Sequence, residues 1–181
     1  MIDVFDAQRM TAEDFFQIHP DVNAKSDPQL LTDLFFQALA NNDVSSRRVL
    51  ATSLMNWGAD VAATRNENAN ALHLFAIRLQ DPIMEAPMLK ILLDAGVDPN
   101  KQSSRGETPL ECMMMLPRFT EEELAPVYDV FFTHPGLDFN MASRSGLTLW
   151  DKVTGCFLDL EQRIKDYVAE HGGVLKSKFD S

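Results

Sequence analysis

The side chains with the clearest potential for chemistry are histidines, cysteines and a recurring set of aspartates. They are His19, His73, His134 and His171, Cys112 and Cys156, and Asp60, Asp98 and Asp138. The two cysteines have no zinc-type or redox spacing around them, which indicates buried thiols in a reducing compartment. The chain also has no G-x-S-x-G, H-E-x-x-H, C-x-x-C or phosphate-binding glycine loop. We therefore predict no catalytic residues, no metal site and no cofactor.

Three of the histidines, His19, His134 and His171, fall where predicted helices end. A partly cationic imidazole suits the negative C-terminal end of a helix, so a structural role is favoured. The alternative is an enzyme with a site between predicted helices, using Glu121 to Glu123 and His134. The sequence offers no assembled acid, base and nucleophile for that site, and we expect a protein that is not an enzyme.

The aspartates are predicted to build the fold because they repeat. Together with Asp21 they form a series with spacings of 39, 38 and 40 residues. A constant period of this size is typical of stacked repeat proteins, in which each unit buries its apolar face against its neighbours. A short aspartate side chain can bond nearby backbone amides in a turn, so one per unit is expected in a scaffold.

Other residue types recur at fixed offsets from these aspartates. Eight residues on are Asn68, Gly106 and Gly146; ten on are Asn70, Thr108 and Thr148; twelve on are Leu72, Leu110 and Trp150. Glycine, and next best asparagine, suits a residue with positive φ, so the eighth position predicts a tight turn. Thr108 followed by proline predicts a capped helix start.

The segments Gly96–Asn100 with Gly106–Leu110, Asn70–His73 and Gly146–Asp151 resemble the ankyrin repeat. The resemblance covers residues 21–173 and implies an all-α solenoid of helix-turn-helix units with short β-turn fingers along one edge. It also implies that His73 stabilises a turn. We expect one domain, 1–181, with about three full units plus N- and C-terminal partial or capping units. The boundaries are a half-unit at 11–23, units at about 24–60, 61–98, 99–138 and 139–173, and a tail at 174–181.

The period of this chain exceeds the family value of about 33 residues. The offsets within the fingers are normal, so the extra residues are placed between the first and second helices, at 80–87 and 116–123. In the second of these segments, Thr120 and Glu123 are candidates to cap an added turn. Second helices are predicted at 47–57, 126–132 and 160–169, with another around 84–93 from its apolar spacing. Two enlarged loops opposite the fingers are the expected result.

The charge composition of the chain restricts the kinds of partner that it is expected to bind. The chain has 16 basic and 27 acidic side chains and a net charge of −11. This charge disfavours nucleic acid and anionic membrane surfaces and speeds the capture of a positively charged protein. Neither a signal peptide nor an apolar stretch of membrane-spanning length is visible, and a cytoplasmic monomer is expected.

The predicted function is binding of another protein through the finger tips and the concave face of the first helices. The predicted contact residues are Arg65, Asn66, Glu67, Gln102, Ser104, Arg105, Arg144 and Ser145. Each tip holds one arginine, a residue type enriched at interface hot spots. An inhibitor or immunity protein for a basic toxin, or an adaptor, are narrower forms of this prediction. A passive assembly subunit, with an apolar face exposed at one end of the stack, is a further alternative.

Overall fold

The computed structural model describes residues 2–179, and within that range it contains ten α-helices and no β-strand. The helices are α1 Asp6–Arg9, α2 Ala12–Ile18, α3 Pro28–Leu39, α4 Val44–Asn56, α5 Ala71–Arg78, α6 Pro82–Asp94, α7 Pro109–Met114, α8 Glu121–Phe131, α9 Leu149–Val153 and α10 Leu158–His171. The prediction of an all-α protein is confirmed.

The helices form two rows. Helices α1, α3, α5 and α7 pack successively against one another in the row that we call the inner row, and α2, α4, α6, α8 and α10 do so in the outer row. Inner and outer helices also pack in pairs, α1 with α2, α3 with α4, α5 with α6 and α9 with α10. Each helix therefore buries its apolar face against helices that lie one unit before or after it in the sequence.

The first helix, α1, was missed by the sequence prediction, which began the organised chain with the half-unit 11–23. This single turn packs against α2 and α3, and its Ala7 is fully buried. Asn41 joins it to the next unit by donating to the carbonyls of Ala7 at 3.0 Å and Met10 at 2.8 Å. A helix of four residues has too few positions to show an apolar period, so its sequence carried no signal.

Helix starts follow the local chemistry of their caps. The predicted cap at Thr108 is confirmed: its hydroxyl accepts from the Glu111 amide, and the Glu111 carboxylate accepts from the Thr108 amide. The same reciprocal arrangement begins three other helices, at Asn70, Thr120 and Thr148. These caps satisfy amides at helix N-termini that have no partner inside the helix.

The two enlarged loops were wrongly predicted. Helix α6 begins at Pro82 and α8 at Glu121, so the connections from α5 and α7 span only 79–81 and 115–120. The predicted loop at 80–87 ends on Pro87 and the predicted second helix 126–132 begins at Pro126, but both prolines lie inside helices, each as the sixth residue. A proline there removes one helical hydrogen bond, which the packing of a long outer helix can offset. The extra residues of the repeat therefore lengthen the outer helices.

A buried ion pair joins two units within the outer row. Arg47 of α4 and Glu85 of α6 are each about 1% exposed, and Arg47 Nη1 donates to Glu85 Oε1. Arg47 also donates to the carbonyls of Asn41 at 2.8 Å and Arg78 at 3.0 Å. The other carboxylate oxygen of Glu85 accepts from the amides of Gln80 at 2.6 Å and Asp81 at 2.9 Å. The pair thus satisfies backbone groups of two connecting segments and of Arg78, the last residue of α5.

Within residues 2–179, no helix combines the length and apolarity needed to cross a bilayer.

Candidate functional site

Three loops that share a hydrogen-bonded turn precede α5, α7 and α9, and the first differs by a 3-10 turn at Asn66–Asn68. We call residues 60–70, 98–108 and 138–148 the finger loops. In each one the residue five positions after the aspartate donates to the carbonyl four residues later, as in Ser103 to Glu107 at 2.9 Å. The predicted positive φ is confirmed at the eighth position, with values of 60° for Asn68, 77° for Gly106 and 76° for Gly146.

The tips of adjacent finger loops are hydrogen-bonded to each other. The Ser104 amide donates to the Glu67 carbonyl at 2.5 Å, and the Arg144 amide donates to the Arg105 carbonyl at 3.3 Å. Gln102 bridges in both directions: its carbonyl accepts from Asn68 at 3.0 Å and its side-chain amide donates to Ala142 at 3.0 Å. The structure therefore brings the predicted tip residues into one continuous row.

Close approach between fingers explains why glycine stands at residue 106. A Cβ atom there would lie 2.9 Å from the Arg144 nitrogen and 2.9 Å from the Ser143 Cα. Glycine at this position serves two needs, because it accepts the left-handed backbone and leaves room for the next loop.

The three tip arginines differ in how they are held. Arg65 donates to Asp33 at 2.6 Å, with its guanidinium 4.6 Å from the centre of the Phe36 ring. Arg105 lies 3.4 Å from the Glu67 carboxylate in an exposed pair. The Arg144 side chain has no ion pair or hydrogen bond with the part of the chain that the structure describes. The exposed side chains of Arg144 and Asn66 are thus more available than that of Ser145, whose hydroxyl contacts Ser143 at 2.9 Å and accepts from the Leu147 amide at 3.4 Å.

An open pocket lies beside the first finger loop, on the inner row. Its volume is about 470 Å³. Helices α3 and α5 form two of its walls, and the segment 4–8 and the finger loop close the others. The lining side chains are Val4, Gln8, Asp33, Phe36, Gln37, Ala40, Arg65, Asn66, Ala69, Asn70, Leu74, Ile77 and Arg78. Two of the predicted contact residues, Arg65 and Asn66, therefore belong to a concave site.

Sequence reasoning missed the rest of this pocket. Ile77, in the last turn of α5, is 52% exposed although it belongs to an apolar helix face. Arg78 follows it, and its side chain forms no hydrogen bond or ion pair within residues 2–179. The signal was an apolar and a basic residue side by side at a helix end, but only the packing of α1 beside α3 makes the position concave.

The corner aspartates are scaffold residues, as predicted. Asp60, Asp98 and Asp138 each accept from the amide two residues later, at 3.0, 2.8 and 2.9 Å. Such bonds are turns closed by a short carboxylate side chain. Asn100 then joins one unit to the next, donating to the Gly136 carbonyl at 2.7 Å and accepting from the Asp138 amide at 2.9 Å.

The C-terminal tail 174–176 contacts Asn140 as the next corner contacts Asn100. The Asn140 side chain donates to the Val174 carbonyl at 2.9 Å and accepts from the Lys176 amide at 2.7 Å. Asp151 then accepts from the Ser177 hydroxyl at 2.7 Å and the Lys178 amide at 3.0 Å. Partial burial opposes ionisation of Asp151, but these bonds and those from Thr148 outweigh it and lower its pKa to about 2. The tail thus covers the last finger loop.

The histidines occupy structural positions. His73 Nε2 donates to the Glu107 carbonyl at 2.9 Å, so it links two finger loops, and Nδ1 accepts from the Asn70 amide at 3.3 Å. Burial lowers the pKa of His73, mainly through loss of solvation, which keeps the imidazole neutral. His19 and His171 lie at the ends of α2 and α10, and His134 follows α8.

The two cysteines differ from the predicted pair of buried thiols. Cys112 is half-buried in α7, and burial raises its pKa to about 12. Cys156 is exposed in the turn between α9 and α10, because α9 ends at Val153. Among residues 2–179, no three histidine, cysteine, aspartate or glutamate side chains are grouped in a way that would hold a metal ion.

No family profile and no curated protein sequence matches the chain. Its fold is similar to that in the crystal structure of a functionally unknown protein from Leptotrichia buccalis C-1013-b, with a TM-score of 0.74 and 21% sequence identity. The similarity covers 95% of this chain and 95% of the other. It therefore extends over both helix rows and shows a shared fold.

Proposed function

We propose that this chain is an ankyrin-repeat solenoid that binds another protein through its finger loops and inner helices and carries no catalytic activity. The observation that carries the proposal is the continuous, hydrogen-bonded row of finger tips beside an open pocket on the inner row. A rigid row of loops next to a concave surface is well suited to recognition, because little conformational freedom is lost on binding. The proposal includes a cytoplasmic, monomeric protein.

Inhibition of a basic toxin, as by an immunity protein, is the narrower form of this proposal. The net charge of −11 supports it, since such a field speeds the encounter with a partner that carries a basic surface. Association that slows steeply with added salt is the expected result in stopped-flow measurements. Rates that are indifferent to salt would count against the inhibitor.

Site-specific photo-crosslinking tests the binding surface. A photoreactive amino acid is placed at Asn66 in the first finger loop, at Ile77 in the pocket, and at Met84 on the outer helix α6. Met84 is the matched control because it is 51% exposed, close to the 52% of Ile77. We expect a partner to crosslink to Asn66 and Ile77 but not to Met84. Crosslinks from Met84 alone would show that the inner surface is not the binding face.

A passive assembly subunit is a second candidate, favoured by apolar side chains exposed near the C-terminal end. Leu158, Val174 and Phe179 are each at least 70% exposed. Sedimentation of the wild type and of Leu158→Glu tests this function. An oligomer that dissociates in the variant would favour assembly, and a monomer in both proteins would exclude self-assembly through this end.

A further inference from the structure

The finger loops and inner helices are much less acidic than the rest of this protein. Together the three finger loops and helices α1, α3, α5, α7 and α9 contain seven basic and nine acidic residues, whereas the rest of the chain contains nine and 18. The seven basic residues are Arg9, Arg65, Arg78, Lys101, Arg105, Arg144 and Lys152. The inner side of the protein is therefore nearly neutral.

The pocket beside the first finger loop has more basic than acidic side chains in its lining. Its charged side chains are Asp33, Arg65 and Arg78, and Asp33 is already paired with Arg65 at 2.6 Å. Arg78 is left without a carboxylate in the described part of the chain. Arg47 interacts electrostatically with both Arg78 and Arg118, but its own charge is paired with Glu85. The pocket thus has one uncompensated cation.

The remaining lining combines an apolar floor with free amides. The larger apolar lining residues are Val4, Phe36, Leu74 and Ile77, and of these Ile77 is 52% exposed and Phe36 is almost fully buried. Gln8 and Gln37 also line the pocket, and their side-chain amides make no hydrogen bond within residues 2–179. Amide groups in such positions can pair with the backbone of an incoming chain, while the apolar floor takes a side chain.

We propose that this pocket binds a segment of a partner protein in which an aspartate or glutamate lies next to a bulky apolar residue. The carboxylate pairs with Arg78, the apolar side chain packs on Phe36 and Ile77, and Gln37 bonds the backbone of the segment. This inference rests on the proposed function, because it specifies the chemistry that the inner surface recognises. A partner with a basic overall surface is compatible with it, since net charge governs the encounter and local groups govern docking.

Selection from a displayed library of random 12-residue peptides tests the inference. The full-length protein is the bait, at an ionic strength of about 0.15 M so that surface charge is screened as in the cell. Selected peptides are synthesised together with versions in which each acidic residue is replaced by its amide. Their Kd values are measured by fluorescence anisotropy against the wild type, Arg78→Gln, Gln37→Glu and the control Arg48→Gln on the outer helix α4.

We expect enrichment of acidic residues next to leucine, isoleucine, phenylalanine or methionine. Loss of a charge-assisted hydrogen bond predicts a Kd at least about tenfold higher for Arg78→Gln and for the amide peptides. Gln37→Glu adds a negative charge to the pocket and is expected to weaken binding similarly. Arg48→Gln should change Kd by less than about twofold, because an exposed distant charge contributes little. Circular dichroism melts of all variants establish that they are folded.

Three outcomes would overturn the inference: no enriched peptide, enrichment of basic or purely apolar peptides, or unchanged binding to a folded Arg78→Gln. Its failure is distinguishable from failure of the proposed function. A partner that crosslinks at Asn66 but binds Arg78→Gln normally would leave the protein-binding function standing and reject the pocket chemistry. A partner that crosslinks only at Met84 would reject both.

Discussion

Removing one member of the buried pair Arg47–Glu85 is expected to destabilise the protein strongly. In Arg47→Met, the carbonyls of Asn41 and Arg78 lose their donors, at about 1 kcal/mol each. The Glu85 carboxylate, about 1% exposed, loses its cation but keeps the amides of Gln80 and Asp81. Breaking a buried pair in this way costs about 3–5 kcal/mol, so we expect a loss in that range.

The double variant Arg47→Met with Glu85→Met separates the pair from its surroundings. Each single change leaves a buried charge without its partner, whereas the double change leaves none. We therefore expect the double variant to lose about 2 kcal/mol less than the sum of the two single losses. The double variant leaves unpaired both the carbonyls that Arg47 satisfied and the amides that Glu85 satisfied, so it should still be less stable than the wild type.

Urea unfolding followed by circular dichroism supplies the measurement, with the free energy taken from linear extrapolation. Arg48→Met is the control, because Arg48 is an exposed neighbour on the same helix and its loss should change stability by less than about 0.5 kcal/mol. A loss below about 1 kcal/mol for Arg47→Met, or additive losses in the double variant, would refute this reasoning.

Three other predictions test the repeat geometry. Gly106→Ala should lower the free energy of unfolding by about 2–3 kcal/mol, against about 1 kcal/mol for Gly136→Ala. Both residues have positive φ, but of the two only a Cβ at residue 106 would meet neighbouring atoms within 4 Å. Equal losses in urea unfolding would contradict this prediction. The lowered pKa of His73 means that the unfolded chain takes up the proton first, so stability should fall as the pH drops below the ordinary value of 6.5. His73→Gln should reduce that slope between pH 5 and 7 in urea titrations, and an unchanged slope would argue against it. Asn140→Ala should speed amide hydrogen exchange at Lys176 at least about tenfold, while Asn23→Ala, whose bonds are local, should not; equal exchange in the two variants would exclude the proposed anchoring of the tail.

The sequence predicted the features that depend on local chemistry. Asn68, Gly106 and Gly146 were identified because a left-handed residue restricts the side chain that can occupy it, whatever lies around it. The cap at Thr108 was predictable for the same reason. The capping pair Thr120 and Glu123 is also confirmed, but it begins α8 itself and not a separate added turn before a helix that starts at Pro126. Sequence rules for caps and turns therefore predicted the structure best at positions where only one such rule applied.

The features that the sequence did not predict depend on contacts between units. Arg47 and Glu85 are both the fourth residue of their helices, and the equivalent residue of α8 is the apolar Leu124. The sequence therefore shows a charged residue at a position that faces the core. It does not show that Arg47 pairs with Glu85, which lies 38 residues away. The pocket was missed for a similar reason, because Val4 and Gln8 become part of it only when the short helix α1 packs against α3.

The buried pair and the pocket meet at the C-terminal end of α5. Arg47 holds the Arg78 carbonyl from the preceding unit, and Arg118 donates to the Leu79 carbonyl from the following one. Both guanidiniums satisfy carbonyls at a helix end, where cations are favoured. The backbone that carries Ile77 and Arg78 is therefore fixed from both sides, while their side chains stay open to the pocket. A buried ion pair is costly to desolvate, but this pair has a second consequence. It fixes in place the helix end that carries Arg78, the one pocket cation that has no carboxylate partner in the described part of the chain.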